Sequence, residues 1–233
     1  MKKTLTLSGL LLIIGCSSTP ENPDPHSEFN HDMLELNVML DDNLLHPVAK
    51  GYKTVLPASA QRSVANFVCN WKEPFYFVNH TLAGEGENAL TNLFRFVINT
   101  TAGILGLFDI AEKIGLERAK TSHKTTLTKW KMPNGDYLVL PVFGASSTRD
   151  AIAEPISWYE DPMTYVIGPF WMFVKAVVEA VSDRAVDEET INELLKNPDI
   201  YALMKSAYEQ KFGVHKDNNE NIAAGAEVTI EEE

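Results

Sequence analysis

The 233-residue chain is poor in cysteine, in positive charge and in long apolar runs. Its two cysteines, Cys16 and Cys69, allow one pairing at most. If Cys16 is used otherwise, no internal disulfide is possible. Lys and Arg number 20 against 32 Asp and Glu, a net charge of -12. That balance argues against nucleic acid as a partner, because such binding is driven by clustered Lys and Arg. It argues equally against electrostatic docking on anionic lipid. No apolar run reaches the roughly 20 residues needed to span a bilayer as an uninterrupted helix. No repeat of fixed period is present. "FGASST" at 143–148 lacks the G-x-S-x-G elbow of a serine hydrolase. His26, His31, His46, His80, His123 and His215 show no metal-ligand spacing such as H-E-x-x-H. Glu28, His31 and Asp32 share a helix turn, and an exposed polar face accounts for them. The expectation is no enzyme, no catalytic residue, no metal and no cofactor.

What is present starts at the N-terminus. Met1-Lys2-Lys3 is followed by a mostly apolar stretch from Leu5 to Ile14, which reads as an export signal over residues 1–15. "Ile-Ile-Gly-Cys-Ser-Ser" over 13–18 resembles a bacterial lipobox, in which Cys16 becomes the lipidated first residue of the mature chain. The lipid implied is a diacylglycerol and a fatty acid such as palmitate on Cys16. Ser17, in place of Asp, resembles the sorting pattern for the outer membrane. The plain alternative is an ordinary signal peptide with an incidental Cys. Residues 16–25 then form a lipidated tether. Residues 214–233, ending Glu231-Glu232-Glu233, read as a disordered acidic tail. Cys69, within "NFVCNW", is expected to be a small buried residue.

Residues 26–213 form the body, and it reads as helical. In "EFNHDMLELNVMLDDNLL", Phe29, Met33, Leu36, Leu40 and Leu44 follow helical steps, while Asn30 and Asn37 share another face. Pro47 ends or restarts that helix. "SAQRSVANFVCNWKEP" predicts a helix stopping before Pro74, and "PFYFVNHTLAG" a following piece ending at Gly84. "GENALTNLFRFVINTTAG" and "LFDIAEKIGL" predict two more, the latter closed by Gly115. Asn134-Gly135 predicts a tight turn, with a small hairpin over 125–141 weakened by Pro133. "STRDAIAEPISWYEDP" reads as loop with a short helix. "GPFWMFVKAVVEAVSDRA" is a strong helix with Pro169 in its first turn. "DEETINELLKN" and "PDIYALMKSAYEQKFG" supply the last two.

Two places are apolar where water is expected. Residues 102–108 break a helix with Gly103 and Gly106, yet Ala102, Ile104, Leu105, Leu107 and Phe108 surround them. Buried loops are rare, because their backbone polar groups go unsatisfied. The Pro169 helix confines its polar residues to a stripe, Lys175, Glu179 and Ser182, and is apolar elsewhere. It is expected to be too short and too charged to span a bilayer, so either it is a central core helix, or its apolar arc lies in a membrane interface.

Long ordered segments carry a resemblance. "DPHSEFNHDMLELNVMLDDNLLHPVAKGY", "VANFVCNWKEPFYFVNHTLAGE", "LFRFVINTTAGILGLFDIAEKIGL", "GDYLVLPVFGASSTRDAI" and "NPDIYALMKSAYEQKF" resemble the VacJ/MlaA family of outer-membrane phospholipid-binding lipoproteins. The likeness covers roughly residues 24–212. It implies an all-α fold, a ring-shaped bundle of amphipathic helices embedded in the outer membrane with at most one small hairpin. It implies a channel that removes misplaced phospholipid from the outer leaflet, so maintaining lipid asymmetry. It implies an outer-membrane porin trimer and a periplasmic phospholipid carrier as partners. The competing reading is an envelope scaffold lipoprotein that transports nothing.

The resemblance also implies site residues. Phe29, Asn30 and Asn37 match the first motif. Gly103, Gly106 and Asp109 match a glycine hinge beside lipid, and Arg149 and Asp150 match a later motif. Arg95 and Asn99, four apart, share a helix face, and Lys175 is a charge in an apolar helix. Each has a plainer reading: the Asn residues as caps or loop ties, Arg149 and Asp150 as an ion pair or cap, Asp109 as a cap, and Lys175 as a snorkelling side chain. The chain departs from the family at Asp24-Pro25-His26-Ser27 and over 123–135, where Lys124, Thr125 and Lys131 replace glycine or aromatic residues.

Overall fold

The computed structural model describes residues 24–213. Residues 1–23 and 214–233, and with them the signal, Cys16 and the acidic tail, lie outside that range. The described residues form ten α-helices, one π-helical turn and one hairpin, with their connections. Helix α1 (Ser27–Leu40) runs through a π-helical turn (Asp41–Leu45) into α2 (His46–Val55). Pro47 sits in the first turn of α2, directly after the π-helical turn, and the helical path continues through it, which corrects the expectation that it ends or restarts the helix.

Helix α3 (Ala58–Leu82) corrects the expected stop at Pro74: one helix of 25 residues passes through the proline. An internal proline removes one helical bond and crowds the preceding turn. Buried side chains on both sides of it, Asn70 and Glu73 before and Tyr76, Asn79 and His80 after, tie the helix to its neighbours and outweigh that loss. Helix α4 (Gly86–Thr101) packs back along α3. The short α5 (Ile110–Lys113) follows the glycine loop and precedes Gly115, whose φ of +89° is left-handed.

Residues 125–129, expected in the extended region, belong to helix α6 (His123–Lys129), capped by the Ser122 hydroxyl. The hairpin is real but shifted. Strand β1 (Tyr137–Leu140) pairs antiparallel with β2 (Gly144–Ser147) around Pro141-Val142-Phe143. Asn134-Gly135 is a turn leading into β1, with Gly135 at φ +69°, and does not join the strands. The segment expected to be mostly loop is helix α7 (Thr148–Glu160), capped by Ser147 and continuing past Pro155. Helix α8 (Met163–Val186) carries one non-helical residue, Gly168, so its main limb starts at Pro169. Helices α9 (Glu188–Leu195) and α10 (Ile200–Phe212) end the fold, and Gly213 closes α10 in the left-handed conformation.

The all-α expectation holds, with the small hairpin as its only sheet among the described residues. Apolar cores are small. One gathers Leu34, Tyr137, Val139 and Tyr208 between α1, the hairpin and α10. The other joins Ala49 of α2 to Val181 and Ala185 of α8. Cys69 is only partly buried, which corrects the expectation of a core residue. The interior is otherwise largely polar, and many large apolar side chains are exposed. Arg95, Glu73, Asn30, Asn70, Asn79, Asn92, Asn99 and Asp150 are fully buried. Ile104, Leu105, Phe108, Phe170, Trp171 and Phe173 are exposed. A water-soluble protein keeps large apolar patches few and small. This distribution suits a chain whose outer surface meets hydrocarbon.

Candidate functional site

The predicted site residues fall into four places. Asn30 and Asn37 lie on α1 against the hairpin. The Asn30 amide nitrogen donates to the Tyr137 carbonyl (3.0 Å), and its oxygen accepts from Val139 N–H (2.8 Å). Asn37 does the same with the Leu140 carbonyl (2.9 Å) and Val142 N–H (2.7 Å). Both act as ties. Phe29, beside them, is partly exposed.

Arg149 and Asp150 begin α7 and are buried. Arg149 Nε donates to Asp150 Oδ1 (2.7 Å), and Arg149 Nη1 to the Met132 carbonyl (2.9 Å). The Tyr208 hydroxyl donates to Asp150 Oδ2. Burial and that carboxylate push the Tyr208 pKa far up. This cluster clamps α7, α6 and α10 together.

The third place is a hub under the glycine loop. Arg95 Nε donates to Glu73 Oε1 (2.8 Å) and Arg95 Nη2 to Asp109 Oδ2 (2.6 Å). Arg118 bridges the same two carboxylates at 2.9 and 3.0 Å. Asn99 donates to Asp109 Oδ1 (3.0 Å), Asn92 to Glu73 Oε2 (2.5 Å), and the Glu112 N–H to Asp109 Oδ1 (3.0 Å). Two guanidinium groups thus face two carboxylates, so the buried charge is balanced. Burial works to raise the Asp109 pKa. The Glu112 amide, Arg95 and Asn99 outweigh it and hold the carboxyl below its ordinary value.

The hub holds the greasy loop from beneath. Gly106 N–H donates to the Asn99 carbonyl (2.8 Å) and Phe108 N–H to the Gly103 carbonyl (2.9 Å). A Cβ at Gly103 would overlap the Phe108 and Asn99 carbonyl oxygens. One at Gly106, already at φ +92°, would overlap the Asn70 side chain. Ile104 and Leu105 stand at φ 54° and 57°, a region branched side chains avoid. The loop therefore stores backbone strain while presenting Ile104, Leu105, Leu107 and Phe108 outward. A polar anchor below explains how an apolar loop keeps one shape.

The fourth place is a cavity of about 350 Å³ between α3, α7 and α8. Lys175 Nζ lies 3.2 Å from Asp161 Oδ2, and both side chains are largely buried. Lys72 Nζ lies 2.5 Å from Glu179 and 4.0 Å from Asp183. Burial works against the Lys72 charge, but Glu179 outweighs it and holds the ammonium above its usual range. Burial pushes the Tyr76 hydroxyl up to about 12, so it stays a donor. The Thr121 hydroxyl is buried without a partner. Phe75, Tyr76 and Trp158 complete the wall.

Behind this cavity α8 turns its apolar arc outward. Counted from Met163 across the Gly168 break, it is by length and composition long and apolar enough to cross a membrane, which corrects the expectation that it is too short and too charged, and only 6% of its most apolar stretch is buried. That removes the core-helix reading. Lys175 faces inward to Asp161, so it does not snorkel. A second space, an apolar groove of about 700 Å³, lies on another side of α8, against α1, α2 and α9. At its edge Arg184 forks onto Asp41 at 2.8 and 3.0 Å.

Glu73, Asn92 and Arg118 of the hub, and Lys72, Asp161 and Glu179 of the cavity, were not singled out as lipid-path residues from sequence. Asn70, Glu73 and His80, stepping by three and seven along one helix, carried a legible signal. Arg118 and Asp161 lie in connecting segments and gave none. Among the described residues no group of His, Cys, Asp and Glu could hold a metal ion.

Comparison with known proteins adds to this geometry. The family model described as MlaA lipoprotein matches residues 22–213. An uncharacterised protein of Rickettsia typhi is 33% identical over 79% of this chain and 74% of its own. The intermembrane phospholipid transport system lipoprotein MlaA of Shigella flexneri is 28% identical over 96% of this chain and 89% of its own. Its Haemophilus influenzae counterpart is 29% identical over 90% and 89%. A solved structure, described as the structural basis for maintenance of bacterial outer membrane lipid asymmetry, superposes with a TM-score of 0.71. It is 30% identical, covering 81% of this chain and 96% of that one.

Proposed function

Because the chain belongs to the MlaA lipoprotein family, we propose that it removes misplaced phospholipid from the outer leaflet of the bacterial outer membrane. In this reading it is a lipid-anchored channel, held through Cys16 and facing the periplasm. It works beside a porin trimer and hands phospholipid to a periplasmic carrier, so maintaining lipid asymmetry. It does no covalent chemistry.

One observation carries the reading: a charged, partly open cavity lies directly behind a helix whose outer face is apolar. A phospholipid needs that combination. Its headgroup cannot cross hydrocarbon without losing hydration that is expensive to forgo. Lys72, Lys175, Asp161 and Glu179 offer the headgroup a polar route, while the exposed aromatic arc of α8 and the greasy loop keep the ring seated in lipid. The acyl chains stay in apolar surroundings throughout.

The test is phospholipid exposed at the cell surface in a deletion strain, with the chain supplied again as wild type or as Cys16→Ala. Surface phospholipid rises on deletion, returns to normal with wild type, and stays raised with Cys16→Ala. Unchanged surface phospholipid on deletion would move the reading to a scaffold lipoprotein.

A further inference from the structure

We propose that the cavity between α3, α7 and α8 selects phospholipids whose headgroup carries an ammonium as well as a phosphate, over those with a net-anionic headgroup. The proposal rests on the phospholipid-transport reading and adds a lipid class to it.

The argument is one of charge and sign. In the cavity two ammonium groups, Lys72 and Lys175, are paired with two carboxylates, Glu179 at 2.5 Å and Asp161 at 3.2 Å, while Asp183, 4.0 Å from Lys72, lies outside the cavity wall and is mostly exposed. Both ammonium charges of the cavity are therefore already matched. An entering phosphate can accept hydrogen bonds from either lysine, each with three donors. It then competes with the carboxylate already there. A carboxylate stripped of its partner in a half-buried site is costly. An ammonium on the same lipid relieves that cost by taking the lysine's place. The exchange swaps ion pairs and leaves the charge of the site unaltered. A glycerol headgroup has no cation to offer. It brings an uncompensated negative charge beside Asp161 and Glu179, whose lysines are already paired, and like charges in such a setting repel.

Two neutral groups suit the same exchange. The unpartnered Thr121 hydroxyl and the protonated Tyr76 hydroxyl are donors that a phosphate oxygen can use without displacing any carboxylate. The ring faces of Tyr76 and Trp158 can take a quaternary ammonium, which has no N–H to give a carboxylate. The selected chemistry is therefore an ammonium-bearing phospholipid of the ethanolamine or the choline type.

The experiment uses the full chain purified in detergent. It is equilibrated with mixed micelles holding equal amounts of phosphatidylethanolamine, phosphatidylcholine and phosphatidylglycerol of one acyl composition. Retained lipid is counted by mass spectrometry. The two ammonium lipids are expected to exceed phosphatidylglycerol by about fivefold, the ratio a single modest charge contact supports. Asp161→Asn and Glu179→Gln, each with unchanged helicity, should reduce the ratio to about twofold or less. Asp42→Asn, on the exposed side of the π-helical turn, should keep it. Retention of phosphatidylethanolamine alone also supports the proposal, through N–H donors to the carboxylates. Equal retention of the three lipids, or excess phosphatidylglycerol, overturns the selectivity while leaving transport intact. Selectivity that survives both substitutions overturns its assignment to this cavity. No retained phospholipid in any sample overturns the transport reading itself.

Discussion

The hub beneath the glycine loop and the cavity behind α8 are both charged clusters in an apolar frame, and they differ in how completely they are filled. In the hub, Glu73 and Asp109 are each bridged by both Arg95 and Arg118, with amides on the remaining oxygens. Neither the cavity nor the apolar groove described above is lined by these residues. In the cavity, Asp161 and Glu179 each meet a single side-chain cation, Lys175 and Lys72, an open volume adjoins them, and Thr121 lacks a partner. Burial of charge is common to both. Saturation suits the first to fastening, and an adjoining open volume suits the second to the headgroup route proposed above.

The largest test of that contrast removes a hub guanidinium. Arg95→Ala leaves two buried carboxylates sharing Arg118 alone, and should destabilise the protein by about 3–5 kcal/mol. Chemical unfolding in detergent, followed by circular dichroism, measures it. A loss below about 1 kcal/mol would show the network is not what holds α3, α4 and the loop.

Next comes the loop the hub supports. Gly106→Val meets both a positive φ and the Asn70 side chain, and should cost about 1–3 kcal/mol. The chain should still reach the membrane, with surface phospholipid raised in cells. Normal surface lipid with that variant would free lipid passage from any dependence on the loop's shape.

The cavity should behave in the opposite way. Lys175→Met with Asp161→Asn removes both members of one pair, a change that should alter stability by about 1 kcal/mol or less. Lipid passage should nevertheless fall, seen as surface phospholipid in a complemented deletion strain. A stable double variant with normal surface lipid would mean that this pair only braces α7 against α8.

The smallest effect is one of pH. The folded-state pKa of Asp109 lies below its ordinary value of 3.8. Its contribution is therefore fully present above that ordinary value and is lost as pH falls through the lower folded one. The stability gap between wild type and Asp109→Asn should be constant from neutral pH to about 5 and narrow only in stronger acid. A gap that closes between pH 7 and 5 would contradict the depressed pKa.

How much of this was legible depends on the range of the interaction that decides each feature. Helices α1, α4, α9 and α10 follow apolar spacing within one segment, and Gly168-Pro169 marks a break that glycine and proline impose locally. The run of α3 through Pro74 is decided by Glu73 meeting Arg95 and Arg118, which no local pattern displays. Asn134-Gly135 is a turn, but which strands it serves is settled by Asn30 and Asn37 gripping residues 137–142 from α1. Within the cavity, the stripe of Lys175, Glu179 and Ser182 was visible as spacing. Its inward direction was not, because the exposed apolar arc of α8 reverses the usual rule that polar stripes face outward. Arg95 with Asn99 showed a shared face, yet their common partner Asp109 lies across the glycine loop.

The two asparagines on α1 have one more effect. A strand whose N–H and C=O groups face open space can template another chain. Asn30 fills one such pair on β1, and Asn37 fills another where the strand turns. Side-chain amides stand in for a neighbouring strand, with a helix behind them that no strand can displace in register. The hairpin is thereby finished on that side: it can neither lengthen its sheet nor recruit a second copy there, and a protein with so much exposed apolar surface has one fewer way to aggregate.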